Sequence, residues 1–273
     1  MIYLFLSIIA SALIGNLIYL YQKDKNLQIL QVFLGNYFLA SIFSYFSNTT
    51  NFSDVRSLDV LLGCIAGFLF LANFIVYQKN IKVNGLSLSV GVMRISLIIP
   101  TLLSIIVFTE NILLINYIGI AVILFSFTFR TETRNFHNLF WILFLFFITG
   151  ITDSMLKIYD SIGLPQDGAF VFFLFGSAFI FNLIWIGVQK RKIIWKYFLW
   201  GMLLGIPNQL TTRFFLDSLQ TVKAAIAYPL LASSVVVITI LCDIFIWKMR
   251  FSLRQRIAFA FLVVGIVLLN IRM

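Results

Sequence analysis

Apolar residues in this chain occur in long runs that carry almost no charge, and this feature restricts the chain to a helical bundle in a membrane. The first run extends from Ile2 to Gln22 without a charged residue. About 20 apolar residues are enough for a helix to cross the hydrocarbon core of a bilayer. Because the runs are continuous and do not alternate with polar residues, they argue against a β-barrel.

The composition and the spacing of charges predict ten membrane spans. Of the 273 residues, 61% are hydrophobic and 11% are charged, whereas a soluble domain needs many more polar residues to cover its surface. The first span is expected to remain as a helix, because no basic residue precedes its apolar run. The predicted spans are 2–20, 29–47, 58–77, 86–107, 112–129, 138–156, 169–188, 197–215, 225–246 and 256–272.

An internal repeat relates the two halves of the sequence. Residues 61–67 read LLGCIAG and residues 199–205 read LWGMLLG, so two glycines recur with the same spacing at an offset of 138. Other small residues match in the same order at similar offsets, which favours a true repeat. All the matches together are Gly35 with Gly176, Gly63 with Gly201, Gly67 with Gly205, Gly119 with Ala258 and Ser126 with Gly265.

The repeat divides the chain into residues 1–130, a linker of residues 131–137, and residues 138–273. Each half has five spans, and an odd number of spans inverts the second copy relative to the first. The predicted fold is therefore an all-α polytopic membrane protein of ten transmembrane helices in two inverted five-helix repeats. Secondary transporters with this plan bind substrate near the midplane between the halves. Chance is the alternative, since glycine pairs are common where membrane helices pack closely.

One stretch of the sequence resembles a known family. Residues 86–127 combine a proline within the fourth span (Pro100), a glutamate at its end (Glu110) and a glycine opening the fifth span (Gly119). This pattern is similar to helices four and five of the ten-helix EamA-like members of the drug/metabolite transporter superfamily. The second copy, residues 224–269, departs from the pattern. Its proline is displaced to Pro229, and Lys248 or Met249 stands at the glutamate position.

The resemblance implies a ten-helix bundle with a central cavity lined mainly by helices 1, 3, 4, 6, 8 and 9. We therefore expect a secondary transporter or exporter of a small metabolite in an inner or plasma membrane. Two alternatives stay open: a flippase for a lipid or lipid-linked intermediate, and a non-transporting membrane subunit. No nucleotide-binding, metal-binding or protease motif is present, so neither an enzyme nor a cofactor is expected.

Arg94 is the most informative single residue. It lies in the fourth span, and residues 83–93 and 95–109 on either side of it are uncharged. An arginine within a membrane is costly unless it meets water or a partner. A guanidinium suits carboxylate or phosphate groups, so Arg94 is expected to bind an anionic group of the substrate. An amino acid, another small carboxylate or a phosphorylated compound would fit. The alternative is that Arg94 pairs with a neighbouring acid or reaches an interface.

Two acids within the spans, Asp153 and Asp243, are candidates for pairing with Arg94 or for carrying a proton. Asp153 also precedes Lys157 by four residues, a spacing that allows an ion pair on one helix face. Asp243 lies near the end of its span, where an interfacial role is an alternative. Glu110 is expected at a helix end or in loop packing.

Polar, aromatic and proline residues complete the candidate site. Amides on spans expected to line the cavity could orient a ligand or could hydrogen-bond between helices. The tyrosines could form cavity walls or belong to an interfacial belt. The prolines could be hinges or passive kinks. These residues are Asn16, Asn73, Asn208 and Gln209; Tyr77 and Tyr228; and Pro100, Pro207 and Pro229.

The formal charge of +10 is expected to serve contacts with lipid headgroups and not nucleic acid. Fourteen Lys and Arg lie in loops that follow odd-numbered spans, against five on the other side. This bias predicts termini outside the cytoplasm, whereas the family resemblance implies cytoplasmic termini. No metal site is expected, because His137 is the only histidine and Cys64 and Cys242 follow no ligand spacing. The glycine pairs could also serve a homodimer.

Overall fold

The computed structural model describes residues 1–24, 26–47, 55–130, 138–162, 168–248 and 252–271. These residues fold into α-helices, and no β-strand occurs among them. The predicted linker 131–137, with His137, lies outside the described residues. The helices are α1 (Ile2–Tyr21), α2 (Ile29–Ser47), α3 (Ser57–Asn84), α4 (Leu86–Ile95), α5 (Ile98–Ile106), α6 (Leu114–Arg130), α7 (Leu139–Ile162), α8 (Gly168–Val188), α9 (Trp195–Leu219), α10 (Ala224–Phe245) and α11 (Leu253–Asn270).

Within the described residues, eight helical segments are long and apolar enough to cross a membrane. The chain is thus a multi-pass helical membrane protein. Two further helices correspond to predicted spans: α6, which is shorter, and α9, whose 25 residues include more polar side chains. α3 and α7 extend six to seven residues beyond the predicted ends. The length of an apolar run underestimates the length of these two helices, because their last turns contain polar residues and are still helical.

The fourth predicted span, 86–107, is not one continuous helix. α4 ends at Ile95 and α5 begins at Ile98, with a tight turn between them. Pro100 explains the position of this break, because proline has no N–H and its ring clashes with the carbonyl four residues earlier, that of Ser96. The Ile99 N–H instead bonds the Ser96 carbonyl at 2.9 Å, one residue closer along the chain than an α-helix requires.

The described chain forms two compact units. Unit 1 contains Met1, Ala72–Lys157 and Ser218–Met273, and unit 2 contains Ile2–Leu71 and Ile158–Asp217. Each unit draws on both halves of the sequence. The compact units are therefore a different division of the chain from the predicted repeats, because each repeat is one continuous segment of the sequence and each unit is not.

In unit 2, glycines of α9 lie against the backbone of α2. A Cβ atom at Gly201 would overlap the carbonyl oxygen of Val32, and one at Gly205 would stand 2.7 Å from the carbonyl oxygen of Asn36. Because real Cβ atoms do not come this close, only glycine permits this approach of the two helices.

The other copy of the glycine motif lies on α3 and makes the same kind of contact with α8, also within unit 2. A Cβ at Gly63 would stand 3.0 Å from the Phe170 carbonyl oxygen, and one at Gly67 would overlap the Leu174 carbonyl oxygen. α2 and α8 also pack against each other. Small residues thus fix the spacing of the four helices.

In unit 1, α6 packs along α11 through small residues. A Cβ at Gly119 would stand 3.2 Å from the Gly265 carbonyl oxygen. Further along the pair, the Ser126 hydroxyl donates a 2.7 Å hydrogen bond to the Ala258 carbonyl. Both contacts need a short side chain, because the helix backbones are close together at these positions.

The ends of α5 and α10 have the same local geometry. The N–H groups of the two residues that follow α5, Val107 and Phe108, both bond the Leu103 carbonyl, and those of Ile246 and Trp247 at the end of α10 both bond the Cys242 carbonyl. Each pair is followed by a non-glycine residue with a positive φ, which is uncommon. These residues are Thr109 (φ 51°) and Lys248 (φ 52°).

The helices that follow also begin alike. The N–H of Leu113, just before α6, donates to Asn116 Oδ1 at 3.0 Å. The N–H of Ser252, just before α11, donates to Gln255 Oε1 at 2.9 Å. In both helices an amide side chain three residues on reaches back to the capping residue, which satisfies one N–H that has no partner inside the helix.

Candidate functional site

Arg94 lies in the last turn of α4, one residue before the helix ends. It is partly buried and belongs to the apolar span Leu88–Ile106. Two effects make this position tolerable for a cation. The carbonyl end of a helix attracts positive charge, and the Asp153 carboxyl group of α7 lies within electrostatic range of the guanidinium. The Tyr77 side chain of α3 lies within the same range. The structure therefore places two other predicted site residues, each on a different helix, within electrostatic range of Arg94.

Two further predicted residues belong to the same neighbourhood of unit 1. The Tyr228 hydroxyl of α10 donates a 2.7 Å hydrogen bond to the main-chain carbonyl of Asp153. On α3, Asn73 Oδ1 accepts a 2.7 Å hydrogen bond from the Thr149 hydroxyl of α7. We call Arg94, Tyr77, Asp153, Asn73 and Tyr228 the Arg94 cluster.

The Arg94 cluster combines a cation and an ionisable carboxyl group with neutral polar groups. Arg94, Asp153, Tyr77 and Asn73 are partly buried, whereas Tyr228 is 2% exposed and makes part of the supporting wall. A guanidinium offers five N–H donors in a planar fork, which can bind a carboxylate or a phosphate through two bonds. The Asp153 carboxylate can neutralise Arg94 when no anion is bound, or can receive a cationic group or a proton.

Three predicted amides lie in unit 2 instead, where they bond to helices of that unit. The Asn16 amide donates to the Ala12 carbonyl of its own helix at 2.9 Å. Asn208 donates to Asn36 Oδ1 at 3.2 Å. Gln209, 1% exposed, donates to the Ser47 hydroxyl at 3.3 Å. The bonds of Asn208 and Gln209 join α9 to α2 and correspond to the alternative of bonding between helices, whereas the bond of Asn16 stays within α1.

The remaining predicted residues lie along α9 and α10. Asp243 occupies the last turn of α10 and is partly buried. Pro207 and Pro229 are inside α9 and α10, and both helices continue through them without a break. Pro100 thus differs from the other two, since its helix is interrupted.

A buried ion pair that the sequence did not predict begins on α7, about one turn beyond Asp153. The Lys157 ammonium lies 2.9 Å from Glu110 Oε1 and 5.2 Å from the centre of the Phe108 ring. The sequence spacing had suggested an ion pair of Lys157 with Asp153. Glu110 Oε2 accepts a 2.9 Å hydrogen bond from the N–H of Ala225, in the first turn of α10. Glu110 therefore has a helix-end role: it caps α10 from another part of the chain.

A cavity of about 370 Å³ is lined by residues of the α5–α6 and α9–α10 connections. One of its lining residues, Asn111, directly follows Glu110 in the sequence. Its polar lining includes Asn111, Asn116, Thr221 and Lys223, while no member of the Arg94 cluster lines it. Lys223 donates a hydrogen bond to the Asn111 carbonyl across it. Among the described residues, no three His, Cys, Asp or Glu side chains come together in a way that could hold a metal ion.

Comparison with known proteins shows the fold and little else. No protein-family model matches the chain. An uncharacterized protein of Haemophilus influenzae is 24% identical over 216 residues, covering 73% of this chain and 73% of that protein. A protein of known crystal structure superposes with a TM-score of 0.78 at 11% sequence identity, covering 99% of this chain and 96% of that chain. The chain shares its fold with that structure over almost its entire length.

Proposed function

We propose that this chain is a secondary transporter of a small metabolite with an anionic group, working by alternating access around a site that contains Arg94. The observation that carries the proposal is the Arg94 cluster, where a guanidinium within an apolar span lies in electrostatic range of Asp153 and Tyr77 on two other helices. Tyr228 of a fourth helix bonds the main chain of Asp153. Charged groups in membrane spans are costly and mark substrate or ion pathways. The family resemblance of the sequence supports the same class.

The proposed architecture is two inverted five-helix repeats, and the ends of the helices support it. At a constant offset of 139, the positive-φ residues Thr109 and Lys248 correspond, and so do the capping amides Asn116 and Gln255. The double hydrogen bonds to Leu103 and Cys242 follow the same offset. A positive-φ residue alone is a common end of a helix and also follows α8 at Lys190, so the support for the repeat comes from the constant offset that the three features share.

The contacts between α6 and α11 support a two-fold relation between the repeats. At the offset of 139, Gly119 corresponds to Ala258, and Ser126 corresponds to Gly265. Exchanging the two helices therefore converts the contact of Gly119 with Gly265 into that of Ala258 with Ser126. Both contacts are present, as an interface between equivalent elements requires.

The experiment that tests the function is solute release from proteoliposomes. Vesicles are loaded with a mixture of amino acids, dicarboxylates and sugar phosphates, and their contents are followed by mass spectrometry. We expect loss of one anionic class through the wild-type protein and little loss through Arg94→Gln. The control is Arg213→Gln, which removes an arginine that pairs with Asp217 in unit 2.

Three outcomes would contradict the proposal. Equal release by wild type and Arg94→Gln would remove Arg94 from the site. Release of no solute, together with scrambling of a labelled lipid, would favour the flippase alternative. The absence of both activities in protein that is folded by thermal melting would favour a non-transporting subunit.

A further inference from the structure

The connection between α8 and α9 is both strongly basic and exposed. Residues 189–196 read QKRKIIWK, with four cations and no acid. We call residues 190–195 the basic loop. Its three cations are exposed, and its three apolar residues are exposed as well. The exposed fractions of Ile193, Ile194 and Trp195 are 40, 36 and 69%.

The backbone of the basic loop is held in place by one buried side chain. Gln31 of α2 is 1% exposed, and its Nε2 donates a 2.8 Å hydrogen bond to the Lys192 carbonyl. Its Oε1 accepts a hydrogen bond from the Ile194 N–H. The two Gln31 hydrogen bonds therefore fix the main chain of the loop, and binding of a ligand does not have to order this backbone first.

The neighbouring α1–α2 connection leaves the positive charge of the loop uncompensated. Its acid, Asp24, is already engaged by Lys196, whose ammonium lies 2.7 Å from Asp24 Oδ2. Lys196 also lies over the Trp200 ring, and that ring stacks on Tyr21 at 5.0 Å between centres. Tryptophan and tyrosine are enriched where a protein meets the membrane surface, so this end of unit 2 has the composition of an interface.

We propose that the basic loop is a docking surface for anionic phospholipid headgroups, with Ile193, Ile194 and Trp195 inserted among the upper acyl chains. The charge of the loop complements an anionic leaflet, and its apolar residues fit the headgroup–acyl boundary. The leaflet that contacts the loop is then the cytoplasmic one, as the Lys and Arg bias of the sequence predicts. This inference does not depend on any transport activity.

The test measures how phosphatidylglycerol changes the melting temperature of the full-length protein in mixed micelles, with phosphatidylcholine as the neutral lipid. We expect the melting temperature of the wild type to rise only with phosphatidylglycerol. Arg191→Gln/Lys192→Gln should need about 25-fold more of this lipid, because each cation near an anionic surface is worth about fivefold in affinity. Lys82→Gln/Arg256→Gln removes the same charge from two exposed positions of unit 1 and should behave as the wild type.

A second measurement does not depend on unfolding. Phosphatidylglycerol brominated in its acyl chains should quench part of the tryptophan fluorescence of the wild type, and Trp195→Phe should lose that part. Equal responses of Arg191→Gln/Lys192→Gln and the wild type would overturn the proposal. A response to soluble glycerol phosphate as large as that to the lipid would also overturn it, because the ligand would then be a free phosphate compound.

Discussion

Gly201 of α9 packs directly against the main-chain carbonyl of Val32 in α2, and no space remains there for a Cβ atom. Gly35 of α2 lies equally close to the Phe198 carbonyl of α9. By contrast, apart from the adjoining backbone of α8 itself, no atom of the described part of the chain lies within 4 Å of the Cβ position of Gly176. Close helix contact is therefore a property of particular glycines.

Gly201→Ala should destabilise the protein, because the added methyl group has to push two helix backbones apart. Such overpacking typically costs about 1–3 kcal/mol. The measurement is the melting temperature in detergent. Gly176→Ala is the matched control, and we expect it to leave stability unchanged or to raise it slightly, since alanine favours the helix. Equal effects of the two variants would contradict the packing derived for α2 and α9.

Glu110→Gln should be strongly destabilising. The Lys157 side chain is 9% exposed and its ammonium is paired with Glu110. Loss of the carboxylate takes a counter-charge away from a buried cation, a change that costs up to about 3–5 kcal/mol in proteins. The measurement is again the melting temperature, or the free energy of unfolding where unfolding is reversible.

The double variant Glu110→Gln/Lys157→Met separates the ion pair from the capping role of Glu110. Methionine removes the buried cation while keeping a long apolar stem, so the double variant should recover much of the lost stability. The part that is not recovered corresponds to weaker capping of α10 at Ala225, about 1 kcal/mol. A double variant less stable than Glu110→Gln alone would show that the buried charge is not the cause.

The Asp24–Lys196 pair should give a small contribution to stability that depends on pH. The hydrogen bond from Lys196 is the main cause that lowers the pKa of Asp24 from its ordinary value of 3.8, and the Asn26 N–H adds to it. A lowered pKa in the folded state means that the stabilisation is present above pH 3.8 and is lost as the pH falls through the folded value.

The melting temperatures of wild type and Asp24→Asn should therefore differ by a constant small amount near neutral pH and should converge below pH 4. Salt should reduce the difference, because the pair is exposed and screened. Lys196→Gln is the control background. In it, Asp24→Asn should produce a smaller difference near neutral pH and a smaller convergence, because the main cause of the lowered pKa of Asp24 is gone. A difference that grows as the pH falls would have the wrong sign for this pair.

Much of the fold could be predicted from the sequence because bilayer thickness sets a length that apolar runs reveal. The first two helices begin and end within one residue of their predicted bounds. The break at Ser96 does not follow from the presence of Pro100 alone, because proline in a membrane helix bends some helices and interrupts others. Pro207 and Pro229 are inside continuous helices, and local sequence alone does not separate the two outcomes.

The candidate site was less predictable, because a side chain's partner depends on how the helices are rotated against one another. The cost of Arg94 in a membrane could be recognised from sequence, but its electrostatic coupling to Asp153 depends on how α4 and α7 are oriented. Lys157 shows the same limit. Its spacing from Asp153 was suitable for a pair, yet its ammonium lies beside Glu110, 47 residues away in the sequence.

Arg94 and Asp153 should be coupled energetically if the Arg94 cluster is a site whose charges balance each other when it is empty. Arg94→Gln and Asp153→Asn each leave one charge without its counter-charge within the membrane spans, so each should lower the melting temperature. The double variant removes both charges and should be more stable than the sum of the single effects predicts, by about 0.5–3 kcal/mol.

Thr149→Val combined with Arg94→Gln is the matched control pair, because the Thr149 hydroxyl bonds Asn73 and is not charged. Its effects should be closer to additive than those of the charged pair. Additive effects of Arg94→Gln and Asp153→Asn would instead mean that each charge is balanced by a different group. A ligand of the Arg94 cluster would then find the guanidinium already neutralised by another partner, and Asp153 would lose its role as the exchangeable counter-charge.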